Sequence, residues 1–304
     1  MKKNFEMGNY FYSVSEFYKK FFREKIWKIS LDLGIPCVHG KCIYCNETSF
    51  IPSNVRGRKI RTQIEEGISI LGKRYGVKKF IAYLQSGTNT AVSPEVLEKV
   101  LEEIFSYKEI VSLSIGTRPD YISQEVVELF KYFSKYKPIF VELGLQSAND
   151  DTLKFINRGH TFSDFQLALQ KLLECKNLLV VAHMIVGLPG EDKDVIFKSF
   201  EKVSHLPLNG VKIHHLQVVK NTPLERIYLS GRVKIFEEVE DYIEILSQLL
   251  EILPPHFVIH RLYGDIPHNL LIAPRWKIDK NSFKLKLEEK FKERDGYQGK
   301  YFKR

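Results

Sequence analysis

Apolar and polar positions alternate along the chain with two different periods, and these periods predict its secondary structure. A period of two residues marks strands, and a period of 3.6 residues marks helices. Strands are predicted at 26–34, 78–86, 111–117, 139–147, 178–187 and 210–219, with a last possible strand at 256–264. Helices are predicted at 10–24, 62–75, 93–106, 123–135, 150–175, 192–205 and 237–252. Strands that alternate with helices at short spacing indicate an α/β fold with a parallel sheet and helices outside it.

The two faces of the predicted strands differ in polarity. One face is bulky and apolar, whereas the other carries small or polar residues such as Tyr83, Ser114, Glu142, His183 and Lys212. A flat sheet covered by helices on both sides would be apolar on both faces. The polar face therefore indicates a curved sheet around a cavity, with polar residues at the C-terminal strand ends, where barrel-like enzymes place their chemistry. The pattern predicts a (β/α)6 partial TIM barrel.

Charge is distributed unevenly along the 304-residue chain. Residues 1–28 carry a net charge of +4 and residues 277–304 a net charge of +5, so the whole excess of +9 lies at the two ends. Aromatic residues interleave with these basic residues, which suits phosphate neutralisation and base stacking. A solvated amphipathic helix at each end, with its aromatic residues in the core, explains the same pattern. We expect a basic and aromatic extension (1–25), a core domain (26–260) and a basic C-terminal extension (261–304).

Composition excludes several classes of protein. No apolar run approaches the roughly 18 residues of a membrane span, and the N-terminal residues lack the clean apolar segment of a signal peptide. Four cysteines in a chain of this length do not form a disulfide scaffold. A cysteine metal site fits a reducing compartment, so we expect a cytoplasmic protein without membrane contact.

Three of the four cysteines, Cys37, Cys42 and Cys45, fall within nine residues, and Cys175 is far away. Three thiolates so close together can ligate one metal centre, and the lack of a nearby fourth cysteine suggests an open coordination position. Iron–sulfur clusters are held by such thiolates. A structural zinc site is an alternative, with Glu47 or His39 as its fourth ligand. A disulfide is a further alternative, although it would leave the third cysteine unpaired.

The spacing Cys-x4-Cys-x2-Cys, with Tyr44 before the third cysteine, resembles the cluster loop of radical S-adenosylmethionine (SAM) enzymes. The first gap is one residue longer than is usual in that family. The resemblance implies that Cys37, Cys42 and Cys45 hold a [4Fe-4S] cluster and that SAM chelates the fourth iron. One electron, supplied by a donor such as flavodoxin or ferredoxin, would then split SAM and give a 5′-deoxyadenosyl radical. The predicted partial barrel is also the fold of this family.

Two further motifs resemble one branch of this family, which includes the oxygen-independent coproporphyrinogen oxidases and the Elongator catalytic subunit. The motifs are Glu142-Leu-Gly-Leu-Gln146-Ser and Asn-Arg158-Gly-His160. The resemblance implies that Gln146 and Arg158 contact SAM, with Arg158 on the carboxylate, because a guanidinium fork suits that group. Glu142 belongs to the same candidate site.

The segment that closes the second predicted strand matches the family more loosely. Gln85, Ser86, Gly87 and Thr88 stand where the family has a Gly-rich stretch that meets the SAM amino group. A capped glycine turn explains the same residues. Tyr44 would pack beside the cluster and the adenine, or it would fill the core.

Two other strand ends carry motifs of the branch. In His183-Met-Ile-Val-Gly187-Leu-Pro-Gly-Glu, the resemblance implies that Gly187 lines the adenine and that His183 lies at the ribose. Some relatives have Asp at the position of His183, and a hydrogen-bonded core histidine is the alternative. In Gly-Thr-Arg118-Pro-Asp120, the resemblance implies that Arg118 lies near SAM or substrate, although Arg118 and Asp120 could equally form a local ion pair.

The C-terminal part resembles a subgroup of stand-alone bacterial radical SAM proteins, and the likeness covers about 25–276. The motifs do not identify the substrate or the catalytic residues. The first hypothesis is tRNA modification, from the basic ends and the resemblance to the Elongator subunit, which works on wobble uridine. The alternatives are a radical SAM enzyme for a small metabolite and a zinc-knuckle RNA-binding protein without enzymatic activity.

Overall fold

The structure is a computed structural model that describes residues 9–35, 37, 42–46 and 55–303. The strands are β1 (Ile26–Leu31), β2 (Lys79–Leu84), β3 (Ile110–Thr117), β4 (Ile139–Gln146), β5 (Leu178–Val186), β6 (Gly210–His215), β7 (Val218–Val219), β8 (Val258–Arg261) and β9 (Leu271–Ala273). The helices are α1 (Val14–Phe22), α2 (Ile60–Tyr75), α3 (Pro94–Ser106), α4 (Gln124–Phe133), α5 (Asp150–Phe155), α6 (Phe162–Leu172), α7 (Lys193–Ser204), α8 (Pro223–Leu229), α9 (Val239–Ile252) and α10 (Lys280–Glu293).

Seven parallel strands form one curled half-barrel sheet, in the order β1-β2-β3-β4-β5-β6-β8. Each strand pairs with the next one along the chain except at the last step, where β6 pairs with β8. The predicted partial barrel of an α/β fold is confirmed. The sheet has seven strands rather than six, because the stretch at 256–264 contributes β8.

The convex face of the sheet carries the main core. Ala82, Leu113, Val141, Ala182 and Ile213, one from each of five neighbouring strands, are buried in a single hydrophobic cluster with the outer helices. Each such side chain contributes roughly 25 cal/mol of stabilisation per Å² removed from water. The opposite parity of the same strands faces the concave side, as the alternating pattern predicted.

Helix α1 packs inside the end of the half-barrel where the strands begin. It contacts both β8 and β1, the two edge strands of the sheet. The rings of Phe17 and Tyr18 lie 6.0 and 5.9 Å from the ring of Phe140, which is the second residue of β4. Phe17 and Tyr18 are therefore partly buried against the interior of the half-barrel, whereas Phe21 is 45% exposed, so the structural explanation offered above accounts for only part of this end of the chain.

The residues before α1 are extended rather than helical. Ser13 caps α1, and the backbone N–H of Ile259 in β8 donates to the carbonyl of Tyr12 at 2.8 Å. The buried amide of Gln298 holds the same segment, because its Oε1 accepts from the Tyr12 N–H at 2.8 Å. The prediction of a helix over 10–24 was wrong at its start because this backbone pairs with β8 instead.

Two other helix starts differ from expectation. Helix α2 begins at Ile60, so that Thr62 lies in its first turn rather than at its cap. Ser93 precedes α3, but its hydroxyl does not accept a backbone N–H of that helix. Pro94 occupies the first helical position, where its fixed φ favours the helix.

The predicted strand at 210–219 is split into β6 and β7. After β6 the chain leaves the half-barrel, and β7 pairs antiparallel with β9 in a separate two-stranded sheet. A second, smaller core forms there, and Ile43 and Tyr44 of the cysteine segment pack against it. The Ile43 carbonyl also accepts from the Leu224 N–H at 2.8 Å. The C-terminal part of the chain thus holds the described cysteine segment in place.

Helix α10 packs on α9 and presents its lysines to acidic residues. Lys286 lies 2.7 Å from Glu240, and Lys290 lies 3.4 Å from Glu244, both of α9. Four of the five lysines of α10 therefore lie in ion pairs within the fold. Within the described residues, none of the helices has the length and apolar character that crossing a membrane requires.

Candidate active site

A cavity opens where the strands of the half-barrel end, and it brings together nearly all the predicted site residues. Its lining includes Cys37, Cys42, Tyr44, Cys45, Gln85, Ser86, Gly87, Thr88, Arg118, Glu142, Gln146, Arg158 and His183. Gly187 does not line it; a Cβ added there would lie 2.7 Å from the Phe236 ring. Binding of SAM by these residues stays a prediction.

The three clustered cysteines lie on this cavity, and Cys175 does not. No disulfide joins any two of these four cysteines. The described residues contain no preformed group of three metal-binding side chains. The alternative zinc ligands Glu47 and His39 lie outside the described residues. Cys175 is buried just after α6, not within that helix, and its thiol faces the carbonyl of Val127 at 3.6 Å.

Arg158 is buried beside the cysteines and keeps one unused donor. Its Nη2 donates to the Gly144 carbonyl at 2.7 Å, and its Nη1 donates to the Cys42 sulfur at 3.7 Å. The Nε–H has no partner among the described residues. A buried unpaired donor carries a desolvation cost of about 1–3 kcal/mol, so the arrangement favours a ligand that accepts this hydrogen bond.

Arg118 also keeps a buried donor without a partner. Its Nε and Nη2 form a bidentate pair with Asp120 at 3.0 and 2.8 Å, so the local ion pair foreseen from the sequence is present. In the part of the chain that the structure describes, its Nη1 has no partner, although the residue is only 2% exposed and lines the cavity. The ion pair and a ligand contact are thus compatible, because they use different nitrogens.

The backbone of β4 is shaped for this site. The pairing with β5 shifts register between Gly144 and Gln146, and Gln146 has a φ of 76°. The backbone of a non-glycine residue is strained at this positive φ, so contacts with neighbouring residues must keep Gln146 in this conformation. A Cβ added to Gly144 would lie 2.6 Å from Nη2 of Arg158. Only glycine therefore lets Arg158 reach the strand carbonyl.

The rim after β2 is held by side-chain hydrogen bonds. Ser86 donates to Asp32 at 3.1 Å, and the Thr88 hydroxyl lies 3.7 Å from the Cys37 sulfur. Asn89 joins two strand ends by donating to the Leu84 and Gly116 carbonyls at 3.1 and 2.8 Å. The segment is more than a glycine turn, because it connects the first cysteine to the ends of β2 and β3.

Glu142 lies at the centre of the concave face and receives hydrogen bonds from five side chains. The donors and their distances are Lys212 (2.7 Å), Tyr83 (2.8 Å), Ser114 (2.8 Å), His183 (2.9 Å) and Lys28 (3.1 Å). The Lys212 ammonium also donates to the Tyr83 hydroxyl at 2.5 Å. We call these six residues the Glu142 cluster.

Ionisation in the Glu142 cluster follows from burial and from its lysines. Burial alone would raise the pKa of Glu142, but Lys212 and Lys28 hold it well below its usual value. Burial lowers the pKa of Lys212 to about 7, although Glu142 opposes this shift. Burial, followed by Lys212, lowers the pKa of His183 to about 4, so His183 is neutral at physiological pH. A neutral His183 that donates from Nε2 keeps Nδ1 as an acceptor.

The sequence patterns did not reveal that these side chains meet. Tyr83, Ser114 and Lys212 were recognised as polar positions of the strands, but no contact with Glu142 was predicted, and Lys28 was not recognised at all. The available signal was parity, because Lys28 is on the same face of β1 as Ser30. The convergence depends on the curvature of the sheet, which the alternating pattern indicates but does not measure.

The donor set of the cavity fits the cofactors that the cysteine motif implies. Three thiols that line one cavity can ligate an iron–sulfur cluster that leaves one iron open. Two buried guanidinium groups, each with an unpartnered N–H, suit the carboxylate of an amino acid. The thiols and guanidinium groups thus match the cofactors in their chemistry, and they line the same cavity.

Comparison with known proteins agrees with this chemistry. The model of the radical SAM superfamily matches residues 37–203, and that of the radical SAM C-terminal domain matches residues 208–293. Protein YtqA of Bacillus subtilis is 32% identical over 302 residues, which cover 97% of this chain and 93% of that protein.

Two more distant similarities concern proteins that are longer than this chain. The tRNA uridine(34) acetyltransferase of Methanocaldococcus jannaschii is 28% identical over 78% of this chain and 50% of its own length. The structure of archaeal Methanocaldococcus infernus Elp3 matches with a TM-score of 0.65 and 21% identity, covering 90% of this chain and 64% of that one. The latter likeness shows the shared fold. The chain is therefore an enzyme of the radical SAM superfamily, whose cofactors are a [4Fe-4S] cluster and SAM.

Proposed function

We propose that Cys37, Cys42 and Cys45 hold the cluster and that Arg158 and Arg118 bind the carboxylate of SAM. The observation that carries this proposal is that three thiols and two buried guanidinium groups with unpartnered N–H donors share one cavity. When bound, the cluster and SAM supply reductive cleavage of SAM to a 5′-deoxyadenosyl radical, which removes a hydrogen atom from the substrate. Flavodoxin or ferredoxin is the proposed electron donor.

The remaining site residues orient the cofactor and exclude water. Gln146 and Tyr44 form parts of the cavity wall. Gln146 has the positive φ described above, and Tyr44 packs on the smaller core. Ser86, Gly87 and Thr88 also line the cavity, and a Cβ on Gly87 would lie 2.4 Å from the Ile35 carbonyl. These residues are proposed to position SAM so that its reactive end faces the concave interior.

We propose tRNA as the substrate. The support is the similarity over 78% of this chain to a tRNA uridine(34) acetyltransferase, of which the chain spans half. The basic C-terminal helix supports it less than the sequence indicated, because its lysines pair with acidic residues of α9. The cavity mouth, rather than the two chain ends, is the proposed place of RNA contact.

Two measurements test the proposed function. Anaerobically prepared protein should contain about four irons per chain and, with dithionite and SAM, should release 5′-deoxyadenosine slowly. Nucleoside profiles of tRNA from cells with and without the protein should then differ by one modified nucleoside. Zinc without iron or sulfide would contradict the enzymatic proposal, whereas unchanged nucleoside profiles would contradict only the tRNA substrate.

A further inference from the structure

Lys212 occupies an unusual position at the floor of the active-site cavity. Strand alternation places it on the concave side of β6, where it lines the cavity with its side chain only 5% exposed. Its ammonium donates to Glu142 and to the Tyr83 hydroxyl. An ammonium has three N–H donors, so within the described residues one donor of Lys212 is left for another acceptor.

The floor carries more positive than negative charge. Both Lys212 and Lys28 pair with Glu142, which is the one carboxylate within ion-pair distance of either lysine among the described residues. Arg261 on β8 pairs with Lys212 just after a register shift, and its charge helps burial to lower the pKa of Lys212. Arg261 has no ion-pair partner in the part of the chain that the structure describes. Below the pKa of Lys212, which is about 7, the three basic side chains of this floor therefore outnumber its one carboxylate.

The histidines around this floor do not offset the excess. Burial first, and then neighbouring cations that include Lys212, lower the pKa values of His183 and His260 to about 4 and about 3. The same causes, with Arg261 the strongest of the cations, hold the pKa of His214 well below its usual value. All three rings are neutral near pH 7. A surplus of buried positive charge is costly unless an anion accompanies it.

We propose that the floor of the cavity binds an oxyanion of the substrate, a carboxylate or a phosphate, with Lys212 as its direct ligand. Glu142 and Tyr83 hold the Lys212 ammonium in place, and Arg261 adds to the positive field. This inference deepens the proposed function, on which it rests, by assigning the substrate an anionic group. A phosphate fits a nucleotide of tRNA, and a carboxylate fits a small acidic metabolite.

The test measures thermal unfolding of the protein loaded with cluster and SAM under anaerobic conditions. The probes are inorganic phosphate, uridine 5′-monophosphate and succinate, each compared with sodium chloride at matched ionic strength. We expect a saturable rise of the midpoint with an oxyanion and not with chloride, since a ligand of the folded state stabilises it by mass action. Preference for phosphate or for succinate identifies the source of the group.

Matched variants locate the anion. Lys212→Met should weaken oxyanion binding about tenfold or more, the usual effect of losing one charge-assisted hydrogen bond. Lys28→Met removes the same charge from the same carboxylate at a position that does not line the cavity, and it should weaken binding less than about threefold. Tyr83→Phe keeps the charge of Lys212 but removes one of the two groups that hold its ammonium in place, while the hydrogen bond to Glu142 remains. It should weaken binding several-fold, and it serves if Lys212→Met does not fold.

Two results would overturn the inference. One is the absence of any saturable oxyanion effect on the parent protein, and the other is an equal effect of Lys28→Met and Lys212→Met. Release of 5′-deoxyadenosine by the parent is measured on the same preparation and judges the proposed function separately. A parent that binds phosphate but releases no 5′-deoxyadenosine would contradict the proposed function alone.

Discussion

The two ends of the half-barrel are lined by different kinds of residue. At the end where strands finish, cysteines and buried arginines with unpartnered donors surround an open cavity. At the end where strands begin, Phe17 and Tyr18 of α1 close the interior on Phe140. Strand β4 passes from one environment to the other. From Phe140 through Glu142 to Gln146 it spans roughly 20 Å, at about 3.3 Å per residue.

This difference separates stability from function along the length of a strand. Aromatic packing holds the closed end together without a ligand, although the Tyr18 hydroxyl and Nδ1 of His260 there also lack a partner within the described residues. The open end leaves buried donors unsatisfied, which costs stability unless a ligand accepts them. Substitutions at the open end should therefore change binding more than folding, and substitutions at the closed end should do the reverse.

The largest expected effect is at the cysteines. Cys42→Ala should abolish iron binding, because three thiolates are the minimum for a cluster with one open iron. Cys175→Ala is the matched control and should keep full iron content, because that thiol is buried apart from the cavity, and burial raises its pKa to about 11. Iron and sulfide are measured on anaerobic protein. Equal iron loss in both variants would show that the ligand set is wrong.

At the closed end, Phe140→Ala should lower the free energy of unfolding by about 3–5 kcal/mol, the usual cost of truncating a buried phenylalanine. Phe140 is fully buried beneath α1. Affinity for SAM should stay within about twofold of the parent, since Phe140 lies at the other end of β4. Denaturant unfolding and equilibrium binding measure the two quantities. A large loss of SAM affinity with unchanged stability would reverse the comparison.

Glu191 follows β5, on the side of the sheet where the strands end. The pH dependence of stability measures what it costs to bury this carboxyl. Burial raises the pKa of Glu191 to about 7, although Ser147 and Thr152 donate to its carboxyl. The unfolded value is about 4.5, so the stability from the neutral carboxyl is complete below pH 4.5 and is lost as the pH rises through 7. Relative to Glu191→Gln, the parent should lose roughly 2–3 kcal/mol between pH 4.5 and pH 8. Parallel pH profiles of the two proteins would contradict this.

Arg158→Ala should weaken SAM binding by tenfold or more, because a charge-assisted contact contributes about 1.5–3 kcal/mol. Arg158→Lys keeps the charge without the guanidinium fork, and it should recover only part of the affinity. Equilibrium binding of SAM to protein with a verified iron content is the measurement. An unchanged dissociation constant in Arg158→Ala would remove this residue from the SAM site.

The smallest expected effect concerns α10. We expect the combined change of Lys284, Lys286, Lys290 and Lys292 to Gln to alter stability little, because exposed ion pairs contribute about 0–1 kcal/mol each. Three of these lysines pair with glutamates. In a plot of log affinity for tRNA against log salt concentration, each phosphate contact contributes about 0.7–0.9 to the slope. The slope of the variant should differ from that of the parent by less than this amount. A decrease of the slope that corresponds to two or more phosphate contacts would show that RNA binds to α10.

The approximate positions of the strands and the two faces of the sheet were predictable because alternation is a local property of the chain. The polar residues at the strand ends were predictable because the ends of parallel strands meet at one edge, whereas Arg158 was implied only by the family resemblance. The position of α1 was not predictable, because Phe17 and Tyr18 contact Phe140, which lies more than a hundred residues away in the sequence. Nor was the Glu142 cluster, whose lysines come from β1 and β6.

The amide of Gln298 has a consequence for the kinetics of folding. It joins Tyr12 to the carbonyls of Pro254 and Phe257, and the Tyr12 contact spans 286 residues of chain. Closing so long a loop costs conformational entropy before any contact rewards it, so this contact should form late. Once it has formed, the outer edge of β8, the extended segment before α1 and the residues around Gln298 should open as one cooperative unit. Their amide protons should therefore exchange with solvent at a common rate.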